Sequence, residues 1–93
     1  MISLKQQYII KSVTQKVRPT LLGIFGSYAR GEQNEKSDLD ILIDFDMQVD
    51  LLELIGIEQE LSELLGIKVD LITLRSLNEN IKAYIESDLI RLV

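Results

Sequence analysis

Residues 38–45 run Asp-Leu-Asp-Ile-Leu-Ile-Asp-Phe, and this alternation constrains the fold more than any other stretch of the chain. A period of two marks a strand with one face buried and the other open. Leu39, Ile41, Ile43 and Phe45 fall on one face; Asp38, Asp40, Leu42 and Asp44 fall on the other. Residues 67–73 alternate in the same way, with Ile67, Val69 and Leu71 on one face and Lys68, Asp70 and Ile72 on the other. Each of these two strands therefore carries aspartate on the face turned away from its apolar side.

The remaining segments read mostly as helices. Ser3 with Gln6 forms a capping-box pattern. It precedes an apolar stripe of Ile9, Ile10, Val13 and Val17, which predicts a helix over 3–17. Pro19 disfavours helical geometry at Arg18 and ends it. Residues 21–25 are a short apolar run of strand length closed by Gly26, and 27–30 begin a short helix that Gly31 ends. Residues 33–36 are polar and read as a loop. Asp50 with Glu53 is a second capping box, followed by Leu51, Leu54, Ile57, Leu61, Leu64 and Leu65 at helical spacing, with Gly66 as the stop. Ser76 with Glu79 predicts a third cap ahead of a stripe of Ile81, Tyr84, Ile85 and Leu89. Residues 90–93 fit either a short strand or the frayed end of that helix. The order α, β, short α, β, α, β, α predicts an α+β fold: a small mixed sheet of three or four strands with helices packed on one face.

The 93 residues suffice for one domain, taken as 1–93, and a hydrophobic content of 46% supplies a core without crosslinks. Cysteine is absent, which excludes disulfides, zinc–thiolate sites and thiol catalysis. Histidine is absent too, removing the commonest general base and the commonest transition-metal ligand. Any metal is then expected to be hard and oxygen-bound, Mg²⁺ or Mn²⁺. The net charge of -5 offers phosphates little cationic surface and disfavours direct nucleic-acid binding. No apolar run has the length of a membrane span, and Lys5, Gln6 and Gln7 interrupt the only candidate leader, so no membrane association and a cytoplasmic location are expected.

Asp38 and Asp40 point to the same side of one strand, with Cα atoms about 6.7 Å apart. Carboxylates so spaced can converge on a pair of metal ions about 3.5–4 Å apart. They equally fit an ordinary solvated sheet face. Gly26-Ser27 is a turn in which glycine lets the backbone approach a ligand, and serine at a helix start caps it while its neighbouring N–H groups attract phosphate. The same pair also fits a plain strand-to-helix turn. Asp70 shares the sheet face of the aspartate pair. Arg30 reaches from the first turn after Ser27, either towards a bound triphosphate or as a cation favoured at a helix end. Lys36 and Lys68 read as solvated, Phe25 and Tyr28 as packing residues.

Taken together, Gly26-Ser27-Tyr28-Ala29-Arg30-Gly31, then Ser37-Asp38-Leu39-Asp40-Ile41-Leu42-Ile43, then Lys68-Val69-Asp70-Leu71-Ile72 resemble the minimal nucleotidyltransferases of the DNA polymerase beta-like superfamily. The likeness spans essentially the whole chain, and all three acidic positions are present. The resemblance implies the polymerase beta-like fold and transfer of a nucleoside monophosphate, AMP from ATP, to a hydroxyl. It implies that Gly26 and Ser27 bind the nucleotide through the β- and γ-phosphates, with Arg30 as a further nucleotide-binding candidate from its position alone. It further implies that Asp38, Asp40 and Asp70 are the catalytic residues and the ligands of two Mg²⁺ ions, with Mn²⁺ as a substitute.

Minimal members of this family resemble the antitoxin of a bacterial pair whose other half is a HEPN-domain ribonuclease. The resemblance thus implies a protein acceptor, a tyrosine of such a toxin. Transfer to a small molecule, as in aminoglycoside nucleotidyltransferases, and neutralisation of a partner by contact alone are the alternatives. The sequence leaves the acceptor, the base and the choice between homo- and hetero-oligomer open.

Overall fold

The computed structural model describes residues 2–93. The chain runs α1 (Leu4–Thr14), a tight 3-10 turn (Gln15–Val17), β1 (Leu21–Phe25), α2 (Ser27–Arg30), β2 (Leu39–Asp44), α3 (Leu51–Leu65), β3 (Val69–Thr73), a second 3-10 turn (Leu74–Ser76), α4 (Glu79–Asp88) and β4 (Ile90–Arg91). The sheet order is β3-β2-β1-β4. β1 pairs antiparallel with β2 and β4, while β2 and β3 are parallel. The parallel pair needs a crossover, and α3 is that crossover. This is the α+β fold with a four-stranded mixed sheet that the element order predicts. Residues 90–93 resolve in favour of the strand: Ile24 pairs with Ile90, and Gly23 with Arg91.

Local signals act where they stand in the sequence. Ser3 Oγ accepts from Gln6 N at 3.1 Å, and Gln6 Oε1 accepts from Ser3 N at 2.7 Å, closing the capping box of α1. That helix tightens into the first 3-10 turn, and Arg18 turns left-handed at φ 49 before Pro19. Asp50 caps α3 through the amide of Glu53 at 2.8 Å, and Gly66 ends α3 in the left-handed conformation at φ 66.

The third cap falls elsewhere. Ser76 lies in the second 3-10 turn and donates its hydroxyl to Thr73 O at 2.7 Å. Asn78 caps α4 instead, accepting from Ile81 N at 2.9 Å. A serine that satisfies a carbonyl behind it has no helix start to cap.

The main core lies between one sheet face and the helices α1 and α3. Leu22 and Ile24 of β1, Leu39, Ile41 and Ile43 of β2, and Val69 of β3 meet Ile10, Val13 and Val17 from the N-terminal helix and its turn, and Ile57 and Leu61 of α3. The expectation that all helices pack on one face holds for α1 and α3 and fails for α4. Leu89, at the end of α4, lies over Gly23, where an added Cβ would come 2.7 Å from Leu89 Cδ1. Gly23 alternates with the core residues Leu22 and Ile24, so Leu89 sits on the opposite side of the sheet. Leu42 is the register partner of Gly23 and is fully buried, although it shares the face of Asp40 and Asp44. The acidic face is thus half-covered: open at its aspartate end and closed where Gly23 makes room. No helix among the described residues is long and apolar enough to cross a membrane.

Candidate active site

Sheet register assembles the acidic cluster. Asp40 is the Cα partner of Phe25 on β1 and of Asp70 on β3. Neighbouring strands lie about 4.8 Å apart, so Asp40 and Asp70 stand side by side on the same face. Asp38 precedes β2 by one residue and follows the same parity. Lys68, two residues before Asp70, lies 3.7 Å through Nζ from Asp38 Oδ2 and is otherwise exposed to solvent.

β1 delivers the chain into Gly26 immediately beside this cluster. Gly26 adopts φ 76, ψ -152, a backbone region that only glycine enters without strain. A Cβ built there would overlap Asp40 Oδ2. Glycine is therefore required twice, for its dihedral angles and for the approach of backbone to carboxylate. Gly26, not Ser27, is the N-cap of α2, and no side chain caps this helix. Ser27 is its first helical residue. The expected serine cap is displaced by one position because Gly26 alone can make the turn. Gly31 closes the segment in the left-handed conformation at φ 72.

Arg30 is paired with two carboxylates. Its Nε donates to Glu32 Oε1 at 2.7 Å and its Nη1 to Asp88 Oδ2 at 2.6 Å, tying α2 to the end of α4. Its charge nevertheless acts on Asp40. Burial pushes the Asp40 carboxyl above the usual aspartate range, the negative charges of Asp70 and Asp38 push it further, and Arg30 partly opposes them. Sequence reasoning missed Asp88, since no local pattern links a residue to a partner 58 positions away.

Three aspartates, without histidine or cysteine, form a donor set suited to a hard dication. The repulsion within the cluster is a second reason for the fit, because a cation would relieve it. Among the described residues no group of three or more acidic side chains is placed to hold a metal ion as it stands, so the fit is one of donor chemistry and charge.

A stability prediction follows from Asp40. Its native carboxyl holds a proton at pH values where an ordinary aspartate, with pKa about 3.9, has lost it. The native state then binds more protons than the unfolded state, so stability falls as pH rises from about 3.9 through the raised native pKa. Asp40→Asn removes that loss. In metal-free buffer the variant is expected to melt above the wild type at pH 7, with the gap closing near pH 3. Melting below the wild type at pH 7 would refute the repulsion.

A glycine turn thus lies against one of two carboxylates paired across adjacent strands, and the comparisons with known proteins say which family carries this fold. The family model described as "Nucleotidyltransferase domain" matches residues 7–92. The chain belongs to the nucleotidyltransferase domain family.

A provisionally named protein adenylyltransferase of Methanocaldococcus jannaschii is 52% identical to this nucleotidyltransferase over 88 residues, covering 94% of this chain and 81% of that protein. Among solved structures, a crystal structure of a toxin–antitoxin with AMP-PNP superposes with a TM-score of 0.84 and 26% identity, covering 94% of this chain and 72% of that one. A structure provisionally described as a minimal nucleotidyltransferase gives a TM-score of 0.83 and 30% identity, covering 92% of this chain and 88% of that one.

Proposed function

We propose that this nucleotidyltransferase, with residues 1–93 working as one domain, transfers AMP from ATP to a tyrosine of a HEPN ribonuclease toxin and acts as its antitoxin. One observation carries the reading: Asp40 faces Asp70 across adjacent strands while the Gly26 backbone lies against Asp40. The similarity to a protein adenylyltransferase and to a toxin–antitoxin holding an ATP analogue supports the choice of AMP and of a protein acceptor.

In this reading the backbone of Gly26 and the amide and hydroxyl of Ser27 hold the β- and γ-phosphates. Asp38, Asp40 and Asp70 hold two Mg²⁺ ions, for which Mn²⁺ substitutes. When bound, these ions neutralise phosphate charge and favour ionisation of the acceptor hydroxyl. Asp70, more exposed than Asp40, takes the hydroxyl proton. The acceptor oxygen bonds to the α-phosphorus, the bond from that phosphorus to the bridging oxygen breaks, and pyrophosphate leaves. Arg30, released from Asp88, is the nearest cation of α2 for the triphosphate. The net charge of -5 suits a more basic partner, in a complex that weakens as salt rises.

The test incubates the chain with labelled ATP, Mg²⁺ and a HEPN ribonuclease, taken from the neighbouring gene where that gene encodes one. Label on a tyrosine of the partner, with loss of its RNA cleavage, is the expected result. Protection without label would favour neutralisation by contact. Label on an added aminoglycoside, and on neither protein, would favour a small-molecule enzyme.

A further inference from the structure

β3 is an edge strand, and the edge carries an unusual pair of hydrogen bonds. Leu71 N donates to Glu58 Oε2 at 2.8 Å, and Val69 N donates to Ser62 Oγ at 3.0 Å. Both acceptors are side chains of α3. The inner edge of β3 is held by β2, as in the bond from Leu39 N to Lys68 O at 2.8 Å. Asp70 therefore sits between two outer amides, each fastened to a helix side chain. Edge amides normally face water or invite another strand; here the chain satisfies them itself.

The spacing explains why this works. Residues four apart on a helix lie on one face, displaced by about 6 Å along its axis. Residues two apart on a strand are about 6.7 Å apart. Glu58 and Ser62 thus match Leu71 and Val69 in reverse order, as an antiparallel helix and strand require. A carboxylate accepting an amide N–H is among the stronger hydrogen bonds available.

We propose that Glu58 and Ser62 are positioning residues for Asp70, acting as a side-chain clamp on the outer edge of β3 that holds Asp70 in register with Asp40. The consequence for transfer rests on the proposed function; the clamp itself does not. Glu58→Gln keeps an acceptor oxygen, whereas Glu58→Ala removes it.

Amide hydrogen exchange is the direct measurement. Exchange at Leu71 is expected to accelerate at least about tenfold in Glu58→Ala and to stay near wild type in Glu58→Gln. Ser62→Ala does the same at Val69 and provides a second variant should Glu58→Ala fold poorly. In the toxin-labelling assay, Glu58→Ala is expected to lower kcat at least about tenfold while KM for ATP moves less than about twofold, with Glu58→Gln restoring the rate. A merely structural residue would change the amount of folded protein without that split. Unchanged exchange at both amides would overturn the clamp. Accelerated exchange with undiminished kcat would overturn its positioning role. Should the wild type transfer nothing, the proposed function falls, and the clamp is judged on the exchange rates alone.

Discussion

Asp38→Asn/Asp40→Asn is expected to abolish AMP transfer while leaving a folded, monodisperse protein. The two residues share the open face of the sheet, away from Leu39 and Ile41 in the core. Replacing a carboxylate by an amide preserves shape and removes the charge that, in the proposed function, holds a dication. Loss of such electrostatic stabilisation costs more than about 10²-fold in rate. The fold has no need of these charges, since Asp40 is held above its usual pKa by burial and by Asp70 and Asp38. Circular dichroism and melting report folding; the labelling assay reports transfer. Transfer at the wild-type rate would refute the assignment of roles, and a collapsed fold would refute the assignment of faces. An inactive variant that melts no lower than the wild type is the signature of a site that trades stability for function.

Gly26→Ala is expected to be nearly as severe, through geometry and not charge. The substitution strains a backbone at φ 76, at a cost of about 1–3 kcal/mol. It also drives a methyl group into Asp40 Oδ2. Aspartate is too short to swing clear without leaving the place where it faces Asp70. A displacement near 1 Å at a reacting centre costs about 10²-fold, so kcat is expected to fall by at least that factor with a modest drop in melting temperature. Wild-type kcat in Gly26→Ala would show that the turn and the carboxylate do not act together. Gly31→Ala is the control: at φ 72, ψ 23 it lies in the left-handed helical region, a milder strain, and no atom lies within 4 Å of an added Cβ. It is expected to destabilise the protein without a comparable loss of rate.

Much of this structure was legible in the sequence because the signals are local. The parity of 38–45 placed Leu39, Ile41 and Ile43 in the core and Asp38 and Asp40 outside it. Ser3, Asp50, Gly31 and Gly66 marked helix ends where the backbone needs a cap or a left-handed residue. The misread cap shows the limit of such signals. Ser76 and Asn78 are both competent cap residues two positions apart, and the choice between them depended on whether a 3-10 turn would form after β3.

Residue order alone determined the main helices and strands and the shared face of Asp38 and Asp40, because periodicity and capping act within a few residues. Tertiary structure alone decided which elements meet. Parallel pairing of β2 with β3 set Asp70 opposite Asp40, and the crossover that permits it carries the Glu58 and Ser62 that fasten the far edge. The absence of a side chain at Gly23 let Leu89 settle on the second face, next to Asp88, which pairs with Arg30. Each of these contacts joins residues far apart in the chain. Its energy appears only once the intervening segments have folded, so no local pattern records it.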